Sequence, residues 1–232
     1  MMIAPFFDPL YFVFALPALA VGLVAQILLK IWTSKYHNVV PVSGLNGAQT
    51  VERIVASRGF PISFDITSQN LGDNYNPISK TLTLSHEIAQ LASITSVGIA
   101  AHELGHVEQH MTGSVLIKLR TAMLPAINIG TNIGYFMLII GIVIGFTDLA
   151  WLGIILFSGA TLFSVITLPI EIDASRRALK LLTAQKILLA QEMPGVKRVL
   201  SAAALTYIAA TIQSVGTLLY FILRVQGIGK RD

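Results

Sequence analysis

The fold of this chain is decided by residues 122–170, which read AMLPAINIGTNIGYFMLIIGIVIGFTDLAWLGIILFSGATLFSVITLPI. The single charged residue in this stretch is Asp148. About 20 apolar helical residues cross the hydrocarbon core of a bilayer, so the stretch is long enough for two crossings, Ala122–Phe146 and Leu149–Ile170. We therefore expect a helical hairpin in a membrane, with its turn at Thr147 and Asp148.

The composition outside this stretch also indicates a membrane protein. Of the 232 residues, 54% are apolar and 12% are charged, and the mean hydropathy is +0.71. A soluble domain carries about 25% charged residues. Two further uncharged stretches, Leu10–Leu29 and Ala202–Leu223, are long enough to span. The first follows Asp8 rather than a cation and exceeds the core of a signal peptide, so we interpret it as a retained span.

The cations predict the orientation of these four spans. Thirteen of the 16 Lys and Arg residues fall in residues 30–120 and 171–198, and three follow the last span. By the positive-inside rule, the two cation-rich segments face the cytoplasm and both chain ends face outward. The formal charge of +4 thus belongs to membrane flanks, and no nucleic-acid partner is expected. The absence of cysteine excludes disulfides and thiolate chemistry.

The sequence predicts a mainly α-helical membrane protein with about four transmembrane helices and a small α+β cytoplasmic domain. Its segments are an N-terminal span (1–33), the cytoplasmic domain (34–120), a transmembrane hairpin (121–170), a cytoplasmic helical segment (171–201), and a C-terminal span with its tail (202–232). Within the domain, residue types at the ends predict a helix from Asn46 to about Ser57, strands at 62–66 and 81–84, and a helix over Thr95–Met111.

The last of these helices carries His102-Glu103-Leu104-Gly105-His106. Two histidines at i and i+4 lie one turn apart on the same helix face, so both can bind one Zn²⁺. The intervening Glu103 then lies beside the open position of the metal and can act as general base. This is the zincin arrangement. The alternative is a helix with two unrelated surface histidines.

Zinc held by two histidines requires a third protein ligand. A histidine six residues after the second is excluded because position 112 is Thr. His110 lies about 12 Å along the helix from His102, too far to share the metal, and hydrogen bonding is its expected role. The carboxylates that follow the motif on the cytoplasmic side are Glu108, Glu171, Asp173 and Glu192.

Glu171 is the strongest of these candidates because it directly follows the third span, where a carboxylate usually has a partner. The alternative for Glu171 is an interfacial pair with Arg176 or Lys118. Asp173 lies about 200° around the helix from Glu171, so both cannot face one metal. Asp173 is expected either to pair with Arg176 or Arg177 or to orient a ligand histidine.

Other features have weaker interpretations. The strand Thr81–Ser85 precedes the motif helix, where zincins place an edge strand that binds extended substrate; an ordinary hairpin strand is the alternative. His86-Glu87 reads as a helix start, with an accessory role in metal binding as the alternative. Four glycines are expected to permit close helix packing, namely Gly130, Gly134, Gly141 and Gly145. Three side chains are candidate donors to an oxyanion, namely Tyr75, Arg176 and Tyr207.

Several blocks together resemble a known family. They are Gly98-Ile-Ala-Ala-His-Glu-Leu-Gly-His-Val-Glu-Gln-His110, Asp73-Asn-Tyr-Asn-Pro77, Thr81-Leu-Thr-Leu-Ser85 and Leu168-Pro-Ile-Glu-Ile-Asp-Ala-Ser-Arg-Arg-Ala178. Their order and spacing look like the YugP-like family of bacterial membrane zinc metallopeptidases. The resemblance implies a zinc peptidase with ligands at His102, His106 and Glu171 and with Glu103 as base.

The chain is more distantly similar in plan to the HtpX and CAAX-protease group, which has a later Glu-x-x-x-Asp helix. Here the position four residues after Glu171 is Ser175, so support of a ligand from that position is an open question. Asp173, Ser175, His110 and Arg176 are therefore the candidates for supporting the ligands.

These observations predict a membrane zinc metalloendopeptidase of the gluzincin kind with one Zn²⁺ per chain. We expect it in the bacterial inner membrane as a multi-pass protein, with its active site facing the cytoplasm. Its partners are the lipid bilayer and a peptide or membrane-protein substrate, and the oligomeric state is open. The alternative is a non-catalytic membrane zinc-binding or adaptor protein that has kept the site.

Overall fold

The computed structural model describes residues 8–69 and 72–228. Its elements in chain order are α1 (Pro9–His37), α2 (Gly47–Arg58), β1 (Ser63–Thr67), β2 (Asn74–Asn76), β3 (Thr81–Ser85), α3 (His86–Gln90), α4 (Ile94–Met111), α5 (Val115–Ile144), α6 (Thr147–Ala184) and α7 (Met193–Ile228). The helices and strands predicted within residues 34–120 thus form close to their expected bounds, and His86 does start a helix.

Three helices, α1, α6 and α7, are long and apolar enough to cross a membrane. The helix α5 is bent by 50° between Val115–Ile127 and Ile129–Ile144, and it adds a fourth span if the two halves count as one. The mainly helical, membrane-protein class agrees with the sequence. Four spans is the upper limit for the part of the chain that the structure describes.

The chain forms two compact units. We call the first the helical unit; its described residues are 8–24, 119–168 and 205–228. The second, the mixed unit, has described residues 25–69, 72–118 and 169–204, and it contains the three strands together with α2, α3 and α4.

The helix α2 begins and ends where its sequence specifies. The Asn46 side chain accepts a hydrogen bond from the Gln49 backbone N–H at 2.8 Å, and Gln49 Oε1 accepts one from the Asn46 N–H at 3.0 Å. This reciprocal capping box satisfies backbone donors that have no partner within the helix. At the other end Gly59 has φ +64°, a left-handed conformation that glycine adopts without steric cost.

The small sheet has the strand order β1-β3-β2. The strand β1 is parallel to β3, with Phe64 opposite Leu82, and β2 is antiparallel to β3, with Tyr75 also opposite Leu82. The central position of β3 contradicts the expectation that Thr81–Ser85 forms an edge strand. The sequence did not predict β2, because its three residues, Asn74–Asn76, include a single apolar side chain and show no alternation.

The core of the mixed unit joins helices to the sheet. Leu82 and Leu84 of β3 are fully buried, as the alternation of a strand requires. They lie in one cluster with buried residues of α2, α4, α6 and α7, among them Val51, Ile54, Leu104, Val107, Leu181, Leu182, Val196 and Leu200. Burying each Leu or Ile side chain contributes about 1.5–3 kcal/mol. This core holds α4 between the sheet and α6.

Close helix packing in the helical unit depends on some of the predicted glycines. A Cβ at Gly134 would lie 2.8 Å from the Phe157 backbone nitrogen, and one at Gly141 would lie 2.5 Å from that of Ala150, so both permit contact of α5 with α6. A Cβ at Gly130 or Gly145 would meet no atom within 4 Å. The packing role expected for these last two is therefore wrong, and Gly145 instead adopts φ +74° at the turn between the helices.

Candidate metal centre

The helix α4 places the two motif histidines side by side. Ser93 caps its first turn, accepting a hydrogen bond from the Ser96 backbone N–H at 3.0 Å. Further along the helix, His102 and His106 lie one turn apart. Their ring centroids are 4.9 Å apart and their ring planes are nearly perpendicular, at 85°. The i, i+4 spacing thus brings both imidazoles to one face of the helix, as the motif predicts.

A glycine between the histidines lets α6 approach this face. A Cβ on Gly105 would lie 2.3 Å from the Ala174 carbonyl oxygen, well inside contact distance. Only glycine therefore permits this close crossing of α4 and α6. The crossing brings Glu171 of α6 opposite the histidine pair, although 65 residues of sequence separate Glu171 from His106.

The three side chains converge on one point. Glu171 Oε2 lies 3.2 Å from His102 Nε2 and 3.5 Å from His106 Nε2. One ligand atom from each of the three residues lies within 4.8 Å of the others. The exposed fractions of the side chains are 16% for His102, 10% for His106 and 3% for Glu171.

This donor set fits zinc. Two imidazole nitrogens and one carboxylate oxygen form a ligand set that zinc enzymes use, with a fourth position open. Ligand atoms in a tetrahedral site with bonds of about 2.0–2.1 Å lie roughly 3.3 Å apart. The two distances from Glu171 Oε2 agree with that spacing, so the side chains need little rearrangement to bind the ion.

Glu103 lies beside this group and is buried, with 8% of its surface exposed. Burial raises the pKa of the Glu103 carboxyl, the positive charges of His102 and His106 lower it, and the negative charges of Glu171 and Asp73 raise it again. The net shift of the pKa is upward. A carboxyl in such surroundings is able to take up a proton.

On His106, nearby charges and hydrogen bonds together outweigh the effect of burial on the pKa. Burial lowers the pKa of its imidazole, but a hydrogen bond to Glu171 and the charges of Glu103 and Glu171 raise it, and the net shift is upward. The carboxylates around the histidine pair therefore make the site attractive to a cation.

Each histidine has a partner at its outer ring nitrogen. Ser175 Oγ lies 3.2 Å from His102 Nδ1, and Gln109 Oε1 lies 3.0 Å from His106 Nδ1. The Ser175 hydroxyl thus contacts a motif histidine, and its support of a metal ligand stays a prediction. The sequence interpretation missed Gln109, although its position three residues after His106 places both side chains on one helix face.

Asp173 makes the expected pair with Arg177, and its second partner is Gln109 rather than a histidine. Its Oδ2 accepts hydrogen bonds from Arg177 Nε at 2.7 Å and from Gln109 Nε2 at 2.9 Å. Asp173 thus pairs within α6 and also supports the residue that contacts His106. Arg176 is exposed, and among the described residues it is not one of the three that converge.

His110 does not join the converging group. Its Nδ1 lies 2.8 Å from the Tyr75 hydroxyl oxygen, so the expected hydrogen-bonding role is confirmed. Burial lowers the pKa of His110, as do the charges of Lys80 and Lys118. The contact joins β2 to α4, and it involves one of the residues considered as an oxyanion donor.

Comparisons with known proteins identify the family of this chain. The family model described as "putative neutral zinc metallopeptidase" matches residues 11–226. The chain is 35% identical over 215 residues to the "putative membrane protease YugP" of Bacillus subtilis (strain 168), a match that covers 92% of this chain and 96% of that protein. No solved structure matches the chain.

The family implies Zn²⁺ as the cofactor, and His102, His106 and Glu171 form a group that can bind a metal ion. The resemblance found in the motifs is confirmed, because the match extends over nearly the whole sequence of both proteins. This chain belongs to the family of neutral zinc metallopeptidases that includes the YugP protein.

Proposed function

We propose that this protein is a membrane-embedded zinc endopeptidase of the gluzincin kind, which hydrolyses peptide bonds of membrane-associated proteins or peptides. In this proposal His102, His106 and Glu171 hold one zinc ion per chain and Glu103 is the general base. The observation that carries it is the convergence of both Nε2 atoms on Glu171 Oε2, at 3.2 and 3.5 Å, with Glu103 buried alongside.

When bound, zinc lowers the pKa of a coordinated water toward about 7 and polarises a carbonyl group. The protein's part is to hold and to move protons. Glu103 accepts the proton of the attacking water and donates it to the amine that leaves when the C–N bond breaks. The two imidazoles and Glu171 hold the metal, and contacts at their outer atoms hold the imidazoles in place.

The segment boundaries that we propose are those predicted from the sequence. A small zincin-like domain made from residues 34–120 carries the motif helix, and the segment 171–201 supplies the third ligand. The spans are residues 1–33, 121–170 and 202–232. Support comes from the mixed unit, which contains the strands, α4 and the portion of α6 that bears Glu171.

Glu103→Gln tests the catalytic proposal directly. The amide cannot accept the proton, while its size is nearly unchanged, so we expect about 10²–10⁴-fold lower turnover with zinc content and folding preserved. The measurements are zinc per chain on purified protein and cleavage of casein or of a membrane protein. Glu52→Gln is the matched control, because Glu52 is exposed on α2.

Activity of Glu103→Gln within tenfold of the wild type would show that another base operates. Full zinc content in a wild-type protein that cleaves neither substrate would favour the alternative of a zinc-binding or adaptor protein, because metal binding by two histidines and Glu171 does not require Glu103.

We also propose that the site faces the cytoplasm of the bacterial inner membrane. Thirteen of 16 cations lie in the segments that hold the three ligands, and one ion cannot be bound from opposite sides of a bilayer. Single cysteines replacing Ser57, Thr183 or Ile228 test this in the cysteine-free chain.

In intact cells an impermeant maleimide should label the Ile228→Cys protein alone. After permeabilisation, Ser57→Cys and Thr183→Cys should also react, since both positions are exposed. Labelling of Ser57→Cys in intact cells would reverse the orientation, and labelling of only one of these two would contradict a site shared by both segments.

A further inference from the structure

We propose that Gln109 is the positioning residue for His106, and that it holds the imidazole in the tautomer whose Nε2 offers a lone pair to the metal. This inference rests on the proposed role of His106 as a ligand. Gln109 lies on α4 one turn after His106 and is 1% exposed, so its amide makes its contacts within the protein.

The surroundings of the amide determine which way it faces. Gln109 Nε2 lies 2.8 Å from the Ile170 carbonyl oxygen and 2.9 Å from Asp173 Oδ2. Both of these atoms accept hydrogen bonds and cannot donate them, so the NH₂ group must face them. A flipped amide would bring its oxygen against two other oxygens and leave buried groups unsatisfied.

The tautomer of His106 follows from this orientation. With the NH₂ group directed to α6, Gln109 Oε1 is the atom that lies 3.0 Å from His106 Nδ1. The oxygen can only accept, so Nδ1 carries a hydrogen, and Nε2 is the nitrogen that offers its lone pair when zinc takes the place of the hydrogen bond to Glu171. Nε2 is the atom that faces Glu171 Oε2.

The carboxylate that orients Gln109 is itself held by a chain of charges. Arg177 Nε donates to Asp173 Oδ2 at 2.7 Å, and Arg177 Nη1 lies 3.4 Å from Glu108 Oε2. Glu108 also pairs with Arg58 of α2. The orientation of Gln109 thus depends on contacts that connect α2, α4 and α6.

His102 differs in this respect. Its Nδ1 contacts Ser175 Oγ, and a hydroxyl can either donate or accept a hydrogen bond. Ser175 is therefore compatible with both tautomers of His102, whereas Gln109 is compatible with one tautomer of His106. The structure thus predicts that the two ligands depend unequally on their outer partners.

The test compares zinc affinity, measured by competition with a chelator, in four variants of the full-length protein. Gln109→Met keeps the side-chain length and removes both hydrogen-bonding functions, and we expect about 10–100-fold weaker zinc binding. Ser175→Ala, the matched control at the other histidine, should weaken binding less. Gln109→Glu should also bind weakly, because its carboxylate faces Asp173 and the Ile170 carbonyl.

The fourth variant, Gln109→Glu with Asp173→Asn, exchanges the charge between the two positions. The carboxylate can now accept from both His106 Nδ1 and the new amide, so affinity should rise above that of Gln109→Glu alone. A merely structural role of Gln109 would not predict this recovery. The comparison of Gln109→Glu with the double variant also tests the role of Gln109 if Gln109→Met does not fold.

Histidine ¹⁵N NMR on the zinc-loaded protein gives a second measurement. The Nδ1–H of His106, assigned by its loss in His106→Ala, should exchange slowly with water in the wild type and faster in Gln109→Met, which offers it no acceptor. Unchanged exchange and unchanged affinity in Gln109→Met would overturn the inference. Full zinc binding by His106→Ala would instead overturn the proposed function.

Discussion

The two units of this protein bury different kinds of side chain. In the mixed unit several polar side chains lie deep inside and have hydrogen-bond partners, as Gln109 and Ser96 do. In the helical unit large apolar side chains remain exposed, including Phe136 at 68% and Ile155 at 64%. Among the described residues, the two buried side-chain oxygens with no hydrogen-bond partner, Thr131 Oγ1 and Thr167 Oγ1, also lie in the helical unit.

The difference indicates that the surface of the helical unit is suited to lipid and the surface of the mixed unit to water. Exposed apolar surface on this scale is unfavourable in water and is favourable against lipid tails. The mixed unit has the buried apolar core and satisfied polar groups that are typical of a water-soluble domain, because a polar group buried in a protein interior needs a hydrogen-bond partner.

The largest expected effect is the loss of stability when a buried core side chain of the mixed unit is shortened. Ile54 is fully buried in the mixed unit, so Ile54→Ala should destabilise it by about 2–5 kcal/mol through lost burial and a cavity. Ile155→Ala in the helical unit should cost far less, because Ile155 is exposed to lipid or detergent. The midpoint of thermal unfolding in detergent is the measurement.

Each unit has its own fluorescent reporter, since Trp32 lies in the mixed unit and Trp151 in the helical unit. A Trp151→Phe background reports the mixed unit and a Trp32→Phe background reports the helical unit. Equal shifts for Ile54→Ala and Ile155→Ala would contradict the contrast between the two units.

A smaller effect is expected where helices approach closely. Gly105→Ala places a methyl group 2.3 Å from the Ala174 carbonyl oxygen, so α4 and α6 must separate. We expect a loss of about 1–3 kcal/mol, the usual cost of overpacking, together with weaker zinc binding. Gly159→Ala on α6 is the control, because nothing lies within 4 Å of its new methyl group. Retention of full zinc affinity by Gly105→Ala would show that the crossing does not position Glu171.

The smallest effect is expected at an ion pair of the helical unit. Arg224 Nη1 lies 3.8 Å from Asp8 Oδ2, and both side chains are partly exposed. Pairs of this kind contribute about 0–1 kcal/mol, so Arg224→Gln should barely move the unfolding midpoint read from Trp151. A shift as large as that of Ile54→Ala would mean that polar contacts dominate this unit.

Much of the local structure could be predicted from neighbouring residues. Asn46 with Gln49 and Gly59 set the ends of α2, because capping depends on a few consecutive side chains. The four-residue spacing of His102 and His106 likewise predicted that both lie on one face of α4, because four residues are about one turn of helix. Membrane character followed from composition alone.

Other features depended on partners that are distant in the sequence. The strand β2 has little strand propensity of its own and forms because β3 lies beside it. The central position of β3 and the 50° bend in α5 were not predicted from local patterns. The spacing of Gln109 from His106 was visible, but its role depends on Ile170 and Asp173 of another helix.

The sequence by itself determined the kind of protein this is: an apolar chain with a zincin motif and a carboxylate after its third apolar stretch. These properties follow from hydropathy and helical periodicity, which act over a few turns of helix. Only the tertiary structure decided that Glu171 meets both histidines, that Ser175 and Gln109 contact their outer nitrogens, and that Gly105 permits the crossing. The physical reason is that a metal site needs atoms placed to within tenths of an ångström, and packing between distant segments alone sets such distances.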